Sequence, residues 1–279
     1  MHPILFQIGN FSLRAYGLLI AIGTIVGFWM AWKKRKDANM TDDNMLDLLL
    51  ILIVVCILGA KITYIFTNSP LYYLQNPKEI LSGSGLSFVG IVIFGFATCW
   101  FYAMKKKINF FSLMDILMPG VMIGYSIGRI GCFLNGCCYG LPTSSVIGFH
   151  FSVRENFVRY PTQLFISALA LVFFFLLLYI YKKRKFHGAV MAWFLILYST
   201  ISLVVGFYRD MLRFPPFNWT LNQYSIFIII PIAICILIWG SKHEQIIKPE
   251  GKLNEGEVET WDQKKFDEET NEVIINKGE

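Results

Sequence analysis

The residues best suited to chemistry lie between positions 124 and 140, where the sequence reads GYSIGRIGCFLNGCCYG. Arg129 stands among glycines here, and a guanidinium can bind a phosphodiester through two parallel hydrogen bonds, which a lysine cannot do. The glycines could let a phosphate approach the backbone beside Arg129, or could allow two helices to pack closely. Asn135 and Gly136 favour a turn after the helix. The pattern predicts an anion site centred on Arg129.

Three cysteines follow Arg129 closely, at Cys132, Cys137 and Cys138. A disulfide could form among them in an oxidising compartment, or the nearby arginine could lower the pKa of one thiol and make it reactive. The spacing of Cys132 and Cys137 lies at the edge of the range for structural zinc, but no fourth ligand is evident. We favour a structural or disulfide role, keep the reactive thiol as the alternative, and predict no metal and no other cofactor.

The composition indicates the environment in which these residues must be positioned. Of the 279 residues, 55% are hydrophobic and only 16% are charged, whereas soluble domains carry about 25% charged residues. The mean hydropathy is +0.53, and the apolar residues fall in blocks of about twenty, the length that crosses a bilayer. These features exclude a soluble enzyme, a disordered chain and a disulfide-rich secreted module. They predict an all-α, polytopic membrane protein with about seven transmembrane helices, at residues 13–32, 46–66, 86–104, 113–133, 163–181, 188–208 and 224–240.

Three basic tracts predict how the chain crosses the membrane. They occupy residues 33–36, 105–107 and 182–185, and all fall in loops on one side of the predicted bundle. Because positively charged loops stay in the cytoplasm, we expect the N-terminus outside and the C-terminus inside. The basic excess therefore reports topology, and we predict no nucleic-acid partner.

The charge also divides the chain into two regions. Residues 1–240 form the predicted transmembrane domain. Residues 241–279 carry 6 Lys and Arg against 11 Asp and Glu, a net charge of −5, and contain few apolar clusters. We expect this second region to be a disordered cytoplasmic tail.

Four cations lie near the predicted outer ends of spans, against the bias that topology imposes: Arg14, Lys61, Arg129 and Arg209. Charged residues at membrane depth are costly and usually functional. Arg14, Lys61 and Arg209 could instead extend into the headgroups as interface anchors, but Arg129 lies inside a run of small residues. An anionic phospholipid headgroup would explain the whole set.

Simpler roles are expected for the other ionisable residues near the spans. Asp115, close to the start of the fourth span, should interact with the N-terminus of that helix. Asp210 should be solvated beside Arg209. His150, in a long outer loop, is the only histidine placed to act as a base, but we favour a plain loop histidine without a chemical role.

The run from Gly128 to Gly140 resembles the signature GRxGNFxNGExxG of the prolipoprotein diacylglyceryl transferase family. The resemblance extends over most of residues 1–240. Further similar segments are the opening HPILFQIGNFSLRAYGLL, Gly59-Ala60-Lys61, Gly85-Leu86-Ser87-Phe88, Tyr160 to Leu164 and Tyr198 to Arg209.

This resemblance implies lipid-to-protein transfer in the bacterial cytoplasmic (inner) membrane. Family enzymes move the diacylglyceryl group of phosphatidylglycerol to the lipobox cysteine thiol, in the signal-peptide region of a prolipoprotein, and release glycerol phosphate. Both substrates lie in the lipid bilayer, so lateral entry between helices is expected. Carried over by position, the expected catalytic residues are Arg129, Tyr16 and Asn135. The residues expected to bind substrate are Arg129, Lys61, Arg209, Gly128, Gly131, Gly136, Gly140 and Gln163.

Several polar positions of the family are replaced in this chain. Val89 stands where the family has a histidine in GLSFHGG, and Cys132 and Cys137 stand where the signature has Asn and Glu. Ser202 and Gly206 replace an Arg and a Glu of the segment YGxxRxxxExxR. Two alternatives therefore stay open: a divergent transferase with a different acceptor or lipid, and a non-catalytic phospholipid-binding membrane protein.

Overall fold

The protein is mostly helical in the computed structural model, which describes residues 4–8, 11–68, 70–76, 85–151 and 157–242. Among these residues, seven helical spans are long and apolar enough to cross a membrane, which confirms the number predicted from hydropathy. The acidic tail beyond residue 242 lies outside the described residues.

The spans begin and end within a few residues of their predicted limits. The helices are α1 (Ala15–Lys33), α2 (Asp42–Asn68), α3 (Pro70–Gln75), α4 (Phe88–Lys106), α5 (Phe110–Leu134), α6 (Thr162–Lys183), α7 (Ala189–Gly206), α8 (Leu221–Tyr224) and α9 (Ile226–Lys242). A short 3₁₀ helix, Arg35–Ala38, follows α1, and α8 with α9 makes the last span.

Two small antiparallel hairpins, which the sequence did not predict, accompany the helices. The first pairs β1 (Ile4–Ile8) with β2 (Phe11–Arg14) directly before α1. The second pairs β3 (Pro142–Thr143) with β4 (Val158–Arg159) in the long loop between α5 and α6. Their strands are too short for a hydropathy pattern to distinguish them from loop.

Helix α5 lies at the centre of the bundle. Its most apolar stretch is 61% buried, against 11–50% in the other spans, and α5 packs on α1, α4, α6 and α7. The helix begins at a polar cap, because the Asn109 side chain accepts hydrogen bonds from the backbone N–H groups of Phe111 (2.9 Å) and Ser112 (3.2 Å). This central helix carries Arg129 and Cys132 near its C-terminal end.

Glycines allow α1 and α5 to cross in backbone contact. A Cβ atom added at Gly27 would lie 2.7 Å from the Gly120 carbonyl oxygen, and one added at Gly120 would lie 2.5 Å from the Gly27 carbonyl oxygen. One turn further along, a Cβ atom added at Gly23 would lie 3.0 Å from the Gly124 carbonyl oxygen. Close packing of helices is therefore one use of the glycines before Arg129.

Asp115 stabilises a different helix from the one expected. Its side chain is fully buried and accepts hydrogen bonds from the backbone N–H groups of Gly188 and Met191, each at 2.9 Å, at the start of α7. The expectation that Asp115 serves its own helix is wrong, because Asn109 already caps α5. A carboxylate against unpaired N–H groups complements the positive end of α7.

Two of the predicted cytoplasmic tracts meet at one end of the bundle. Arg184, after α6, forms an ion pair with Asp37 at 3.3 Å, and the Tyr181 hydroxyl donates a hydrogen bond to the same carboxylate. The Lys34 ammonium, after α1, lies 3.8 Å from the centre of the Tyr181 ring. The loops after α1 and α6 therefore share a side, as the topology prediction requires.

Candidate active site

The C-terminal end of α5 turns back on itself and brings two of the cysteines together. The Cys137 N–H donates to the Cys132 carbonyl and the Gly136 N–H donates to the Phe133 carbonyl, both at 3.1 Å. This pair of bonds is a Schellman motif, which needs a left-handed residue just after the helix. Gly136 supplies it, with φ of +69°. The predicted turn at Asn135 and Gly136 is confirmed.

The three thiols form one cluster. The Sγ atoms of Cys132, Cys137 and Cys138 all lie within 4.8 Å of one another, and none of the three is in a disulfide. Cys132 is buried, Cys137 is half-buried and Cys138 is exposed. Cys138 adopts φ of +63°, an uncommon conformation for a residue with a Cβ atom, which directs its side chain back toward the other two.

The protonation of the two thiols outside the helix is strongly biased. Hydrogen bonds from the Cys132 and Cys137 thiols, together with the charges of Arg209 and Arg129, hold the pKa of the Cys138 thiol well below its usual range. A hydrogen bond with Cys132 lowers the pKa of Cys137, but a hydrogen bond with Cys138 and burial outweigh it and leave the pKa raised. Cys138 is therefore the more acidic of these two thiols.

The N-terminal end of α6 holds the cysteine loop in place. Gln163 is buried, and its Nε2 donates to the Cys137 carbonyl at 2.7 Å, while the Thr162 hydroxyl donates to the Cys138 carbonyl at 3.1 Å. Further along, a Cβ atom at Gly140 would lie 2.5 Å from the Tyr208 carbonyl oxygen. Gln163, Gly136 and Gly140 thus shape the loop that carries the thiols.

Arg129 lies half-buried on α5, one turn before Cys132. Its Nη2 donates to the Tyr125 hydroxyl at 3.1 Å, and its guanidinium lies 4.8 Å from the centre of the Tyr125 ring. Within the described part of the chain the other guanidinium donors form no further hydrogen bond, so they could serve an anion. Beside it, Gly128 leaves open space, because an added Cβ atom would meet only Ile20, at 4.0 Å.

Arg209 approaches the same cluster from the loop after α7. Its backbone pairs with Gly140, and its charge acts on Cys138 together with that of Arg129. The Arg209 Nε is buried and has no hydrogen-bond partner among the described residues. A buried guanidinium donor without a partner is costly, so it indicates a place for an acceptor such as a phosphate oxygen.

Tyr16 and Asn135 complete the group that the structure brings together. Tyr16, in the first turn of α1, lies close enough to Arg129 and the three thiols for electrostatic interaction. Gly131 is the point of contact, because an added Cβ atom there would lie 3.4 Å from the Tyr16 Cα. The Asn135 side chain hydrogen-bonds the Cys137 thiol.

Lys61 belongs to a different part of the bundle. It is buried on α2, which packs mainly on α4, and its ammonium lies 5.7 Å from the centre of the Tyr73 ring. The Ser87 N–H donates to the Ala60 carbonyl at 3.0 Å, so the segments around Lys61 and Gly85 meet, although they lie far apart in sequence. His150 is exposed in the loop after α5.

An ion pair between buried Arg159 and exposed Asp210, next to the cysteine loop, was not predicted. Arg159 is buried and its Nη1 lies 2.7 Å from the Asp210 carboxylate and 3.3 Å from the Gly140 carbonyl oxygen. Asp210 is exposed, as expected, and it also pairs with a buried arginine from the loop between α5 and α6. Arg159 stands in a loop without hydropathy pattern or motif, so no sequence signal distinguished it.

Seven spanning helices and a cluster of cations, thiols and tyrosine at one end of the bundle define a multi-pass membrane protein with a polar, positively charged site. The model of the family described as prolipoprotein diacylglyceryl transferase matches residues 3–239. The chain belongs to this family.

Relatives that match most of the chain carry the family's activity in their names. A phosphatidylglycerol–prolipoprotein diacylglyceryl transferase of Finegoldia magna is 32% identical over 257 residues, 90% of this chain and 100% of its own length. A second enzyme of that name from Clostridium perfringens, numbered 2, is 31% identical over 92% of this chain and 100% of its own length. The enzyme of Dehalococcoides mccartyi is 32% identical over 74% of this chain and 82% of its own.

Proposed function

We propose that the protein transfers the diacylglyceryl group of phosphatidylglycerol to a prolipoprotein cysteine, with the Arg129–Arg209–Tyr16 cluster as its active site. Family membership over residues 3–239 and the names of the relatives support the reaction. The observation that carries the assignment of the site is the partnerless, buried Arg209 Nε, which acts beside Arg129 on the same thiol cluster. Two guanidinium groups that converge in this way fit a phosphate ester.

The chemistry follows from the leaving group. The acceptor thiolate attacks the glyceryl carbon that bears the phosphate, a C–S bond forms, and the C–O bond breaks with its electron pair on the phosphate oxygen. Glycerol phosphate leaves. Arg129 and Arg209 stabilise the charge that develops on this oxygen, which is a larger effect in a site partly screened from water.

Other residues position these groups. Tyr16 and Asn135 supply hydrogen bonds beside the lipid phosphate, and Gly128 leaves room for the lipid next to Arg129. Gly131, Gly136, Gly140 and Gln163 support the substrate site indirectly, through the α1 contact and the cysteine loop. Lys61 would interact with the substrates from the α2–α4 side.

We infer that the site faces the outer leaflet of the bacterial cytoplasmic (inner) membrane. The basic tracts after α1 and α6 meet at the end of the bundle opposite to the site, and positive loops favour the cytoplasm. The N-terminus is then outside and the C-terminus inside, and the acceptor cysteine lies in the signal-peptide region, within reach of the membrane surface. Residues 1–240 form the transmembrane domain and 241–279 a cytoplasmic tail.

The test is direct product detection. Purified full-length protein is incubated with phosphatidylglycerol and a lipobox peptide, and mass spectrometry measures the diacylglyceryl thioether. We expect product with the wild-type protein and a loss of about 10²–10³-fold in the rate with Arg129→Ala, the range for removing one donor that stabilises developing charge.

Two results would contradict the proposal. Absence of thioether from the wild-type protein, in membranes where the Finegoldia magna relative forms it, would exclude this acceptor and lipid. Equal rates for Arg129→Ala and wild type, with unchanged melting temperature, would remove Arg129 from the site. An Arg213→Ala variant serves as control, because Arg213 lies in an exposed loop and bonds only backbone carbonyls among its described hydrogen bonds.

A further inference from the structure

The three-thiol cluster has a geometry that the transfer reaction described above leaves unused. The Sγ atoms of Cys132, Cys137 and Cys138 lie within 4.8 Å of one another, close enough to bind one metal ion together. In tetrahedral zinc sites the Zn–S distance is about 2.3 Å, which places the sulfur atoms about 3.8 Å apart. The observed Sγ separations are within about 1 Å of that spacing, and Cys137 and Cys138 lie outside the helix.

We propose that Cys132, Cys137 and Cys138 bind one zinc ion as thiolates, and that the fourth position of this ion binds the acceptor cysteine while it is alkylated. The second part rests on the proposed function; the first part does not. The proposal differs from the expectation drawn from spacing alone, since the turn at Gly136 brings together thiols whose sequence spacing gave no clear ligand set.

The number of protein ligands supports a reactive ion over a structural one. Among the described residues, no histidine or carboxylate joins the three thiols. Structural zinc sites have four protein ligands, whereas catalytic sites have three and leave one position open. An open position beside Cys138, the most exposed of the three thiols, is accessible to a cysteine of another protein.

Charge and second-shell contacts fit this ion. One Zn²⁺ with three thiolates carries a net charge of −1, and the guanidinium groups of Arg129 and Arg209 act on Cys138 with the opposite sign. The Asn135 side chain hydrogen-bonds Cys137, and the Gln163 amide holds the carbonyl of the same residue at 2.7 Å. Such contacts orient metal ligands. Arginines were expected for a phosphate; here they also offset the charge of a thiolate cluster.

The ion would solve the problem of activating the acceptor. Only a thiolate is nucleophilic enough to displace a phosphate ester, and a thiol loses its proton when it binds zinc. The proton passes to water, the zinc-bound sulfur attacks the glyceryl carbon, and the C–O electron pair leaves with glycerol phosphate. The thioether that forms is neutral and binds zinc weakly, so it dissociates and frees the position. No oxidant or reductant is needed.

Metal content tests the site without any turnover. Full-length protein is purified under reducing conditions, equilibrated with zinc, and analysed by inductively coupled plasma mass spectrometry. We expect about one zinc per chain, and at least about a tenfold loss of zinc affinity in Cys132→Ser, Cys137→Ser and Cys138→Ser. Cys235→Ser is the matched control, because Cys235 lies in the span formed with α9 and outside the cluster. It should keep the zinc of the wild-type protein.

Cobalt substitution tests the open position. Co²⁺ bound by thiolates gives a sulfur-to-cobalt charge-transfer band whose intensity rises with the number of sulfur ligands. A lipobox peptide should increase this band by about one third, from three sulfur ligands to four, and the same peptide with serine in place of its cysteine should not. Peptide-independent spectra would overturn the role in acceptor binding.

Other outcomes overturn the site itself. Failure of the reduced protein to bind zinc, a disulfide among the three cysteines in protein taken directly from membranes under thiol-blocking conditions, or equal zinc in wild type and all three serine variants would each refute it. The proposed function fails separately. Zinc bound without thioether product contradicts the transfer reaction but leaves the zinc site intact. Full product after complete removal of zinc contradicts the role of zinc in the reaction but leaves the transfer reaction intact.

Discussion

At the scale of single residues, the site depends on two arginines that lie in different surroundings. Arg129 contacts the Tyr125 hydroxyl and ring, whereas the Arg209 Nε is buried with no partner among the described residues. A lysine at either position would keep the charge but lose the planar donor geometry. Lysine at either position should therefore weaken the binding of a phosphate.

Arg209→Lys should slow transfer because it weakens substrate binding, and it should leave the fold largely unchanged. Loss of the Nε donor removes the hydrogen bond to the phosphate, and we expect about a tenfold fall in kcat/KM, the effect of one hydrogen bond to a charged group. The initial rate of thioether formation over a range of phosphatidylglycerol concentrations measures it. Arg213→Lys, in the same loop, should stay within about twofold of wild type. A similar fall in both variants would show that the loop, and not Arg209, is responsible.

At the scale of elements, two glycines and an aspartate outside the site hold the helices that position its side chains. The crossing of α1 and α5 at Gly27 and Gly120 fixes where Tyr16 stands relative to Arg129. Asp115 links the central helix to the start of α7, the helix that leads to Arg209. Positioning of the site thus begins more than two helical turns away from it.

The glycine crossing can be tested within one helix. Gly27→Ala forces a methyl group against the Gly120 carbonyl, and overpacking of this kind costs about 1–3 kcal/mol. Gly17→Ala, also in α1, meets no atom within 4 Å and should leave stability unchanged or raise it by about 0.5–1 kcal/mol. Thermal unfolding in detergent compares the two. Equal melting temperatures for Gly27→Ala and wild type would show that the helices separate without cost.

Asp115→Ala should destabilise the bundle without touching the site. It leaves the N–H groups of Gly188 and Met191 without their buried acceptor, a cost of about 1–3 kcal/mol. Asp43→Ala is the control, because Asp43 lies exposed in the first turn of α2 and should cost less than about 1 kcal/mol. The same thermal unfolding measurement applies, and a smaller loss for Asp115→Ala than for Asp43→Ala would contradict the cap.

How much of this was visible in the sequence depends on whether the signal was local. Spans follow from hydropathy, and the turn at Gly136 follows from local residue preferences, so both were predicted correctly. The partners of Asp115 and Asp210 lie on other elements, and nothing local distinguishes which helix start or which arginine they meet. Arg159 was missed for the same reason, since its partner Asp210 lies in a distant loop. The convergence of the three thiols was missed because it depends on a turn that reverses the chain, which residue spacing alone does not show.

At the scale of the whole molecule, the bundle has two chemically different ends. One holds the basic tracts after α1 and α6, linked through Asp37, and the other holds the thiols, Arg209 and the Arg159–Asp210 pair. The lengths of the spans separate these ends. This polarity makes the proposed orientation testable independently of catalysis.

Reporter fusions measure the orientation. Green fluorescent protein joined after Glu279 should fluoresce and alkaline phosphatase at the same point should be inactive, because the C-terminus is expected in the cytoplasm. Alkaline phosphatase joined after Ser145, in the loop beyond the cysteines, should be active. The opposite pattern at both points would invert the orientation and place the site on the cytoplasmic face.

The glycine crossing also restricts where a lipid can enter the bundle. Where α1 and α5 touch at Gly27 and Gly120, the backbones leave no gap for a single added methyl group. A hydrocarbon tail is wider than a methyl group, so no lipid passes between these two helices at that depth. Any lipid that reaches Tyr16 and Arg129 must therefore enter from a side of the bundle other than the α1–α5 interface. The contact between these two helices thus limits the directions from which a lipid can enter the site.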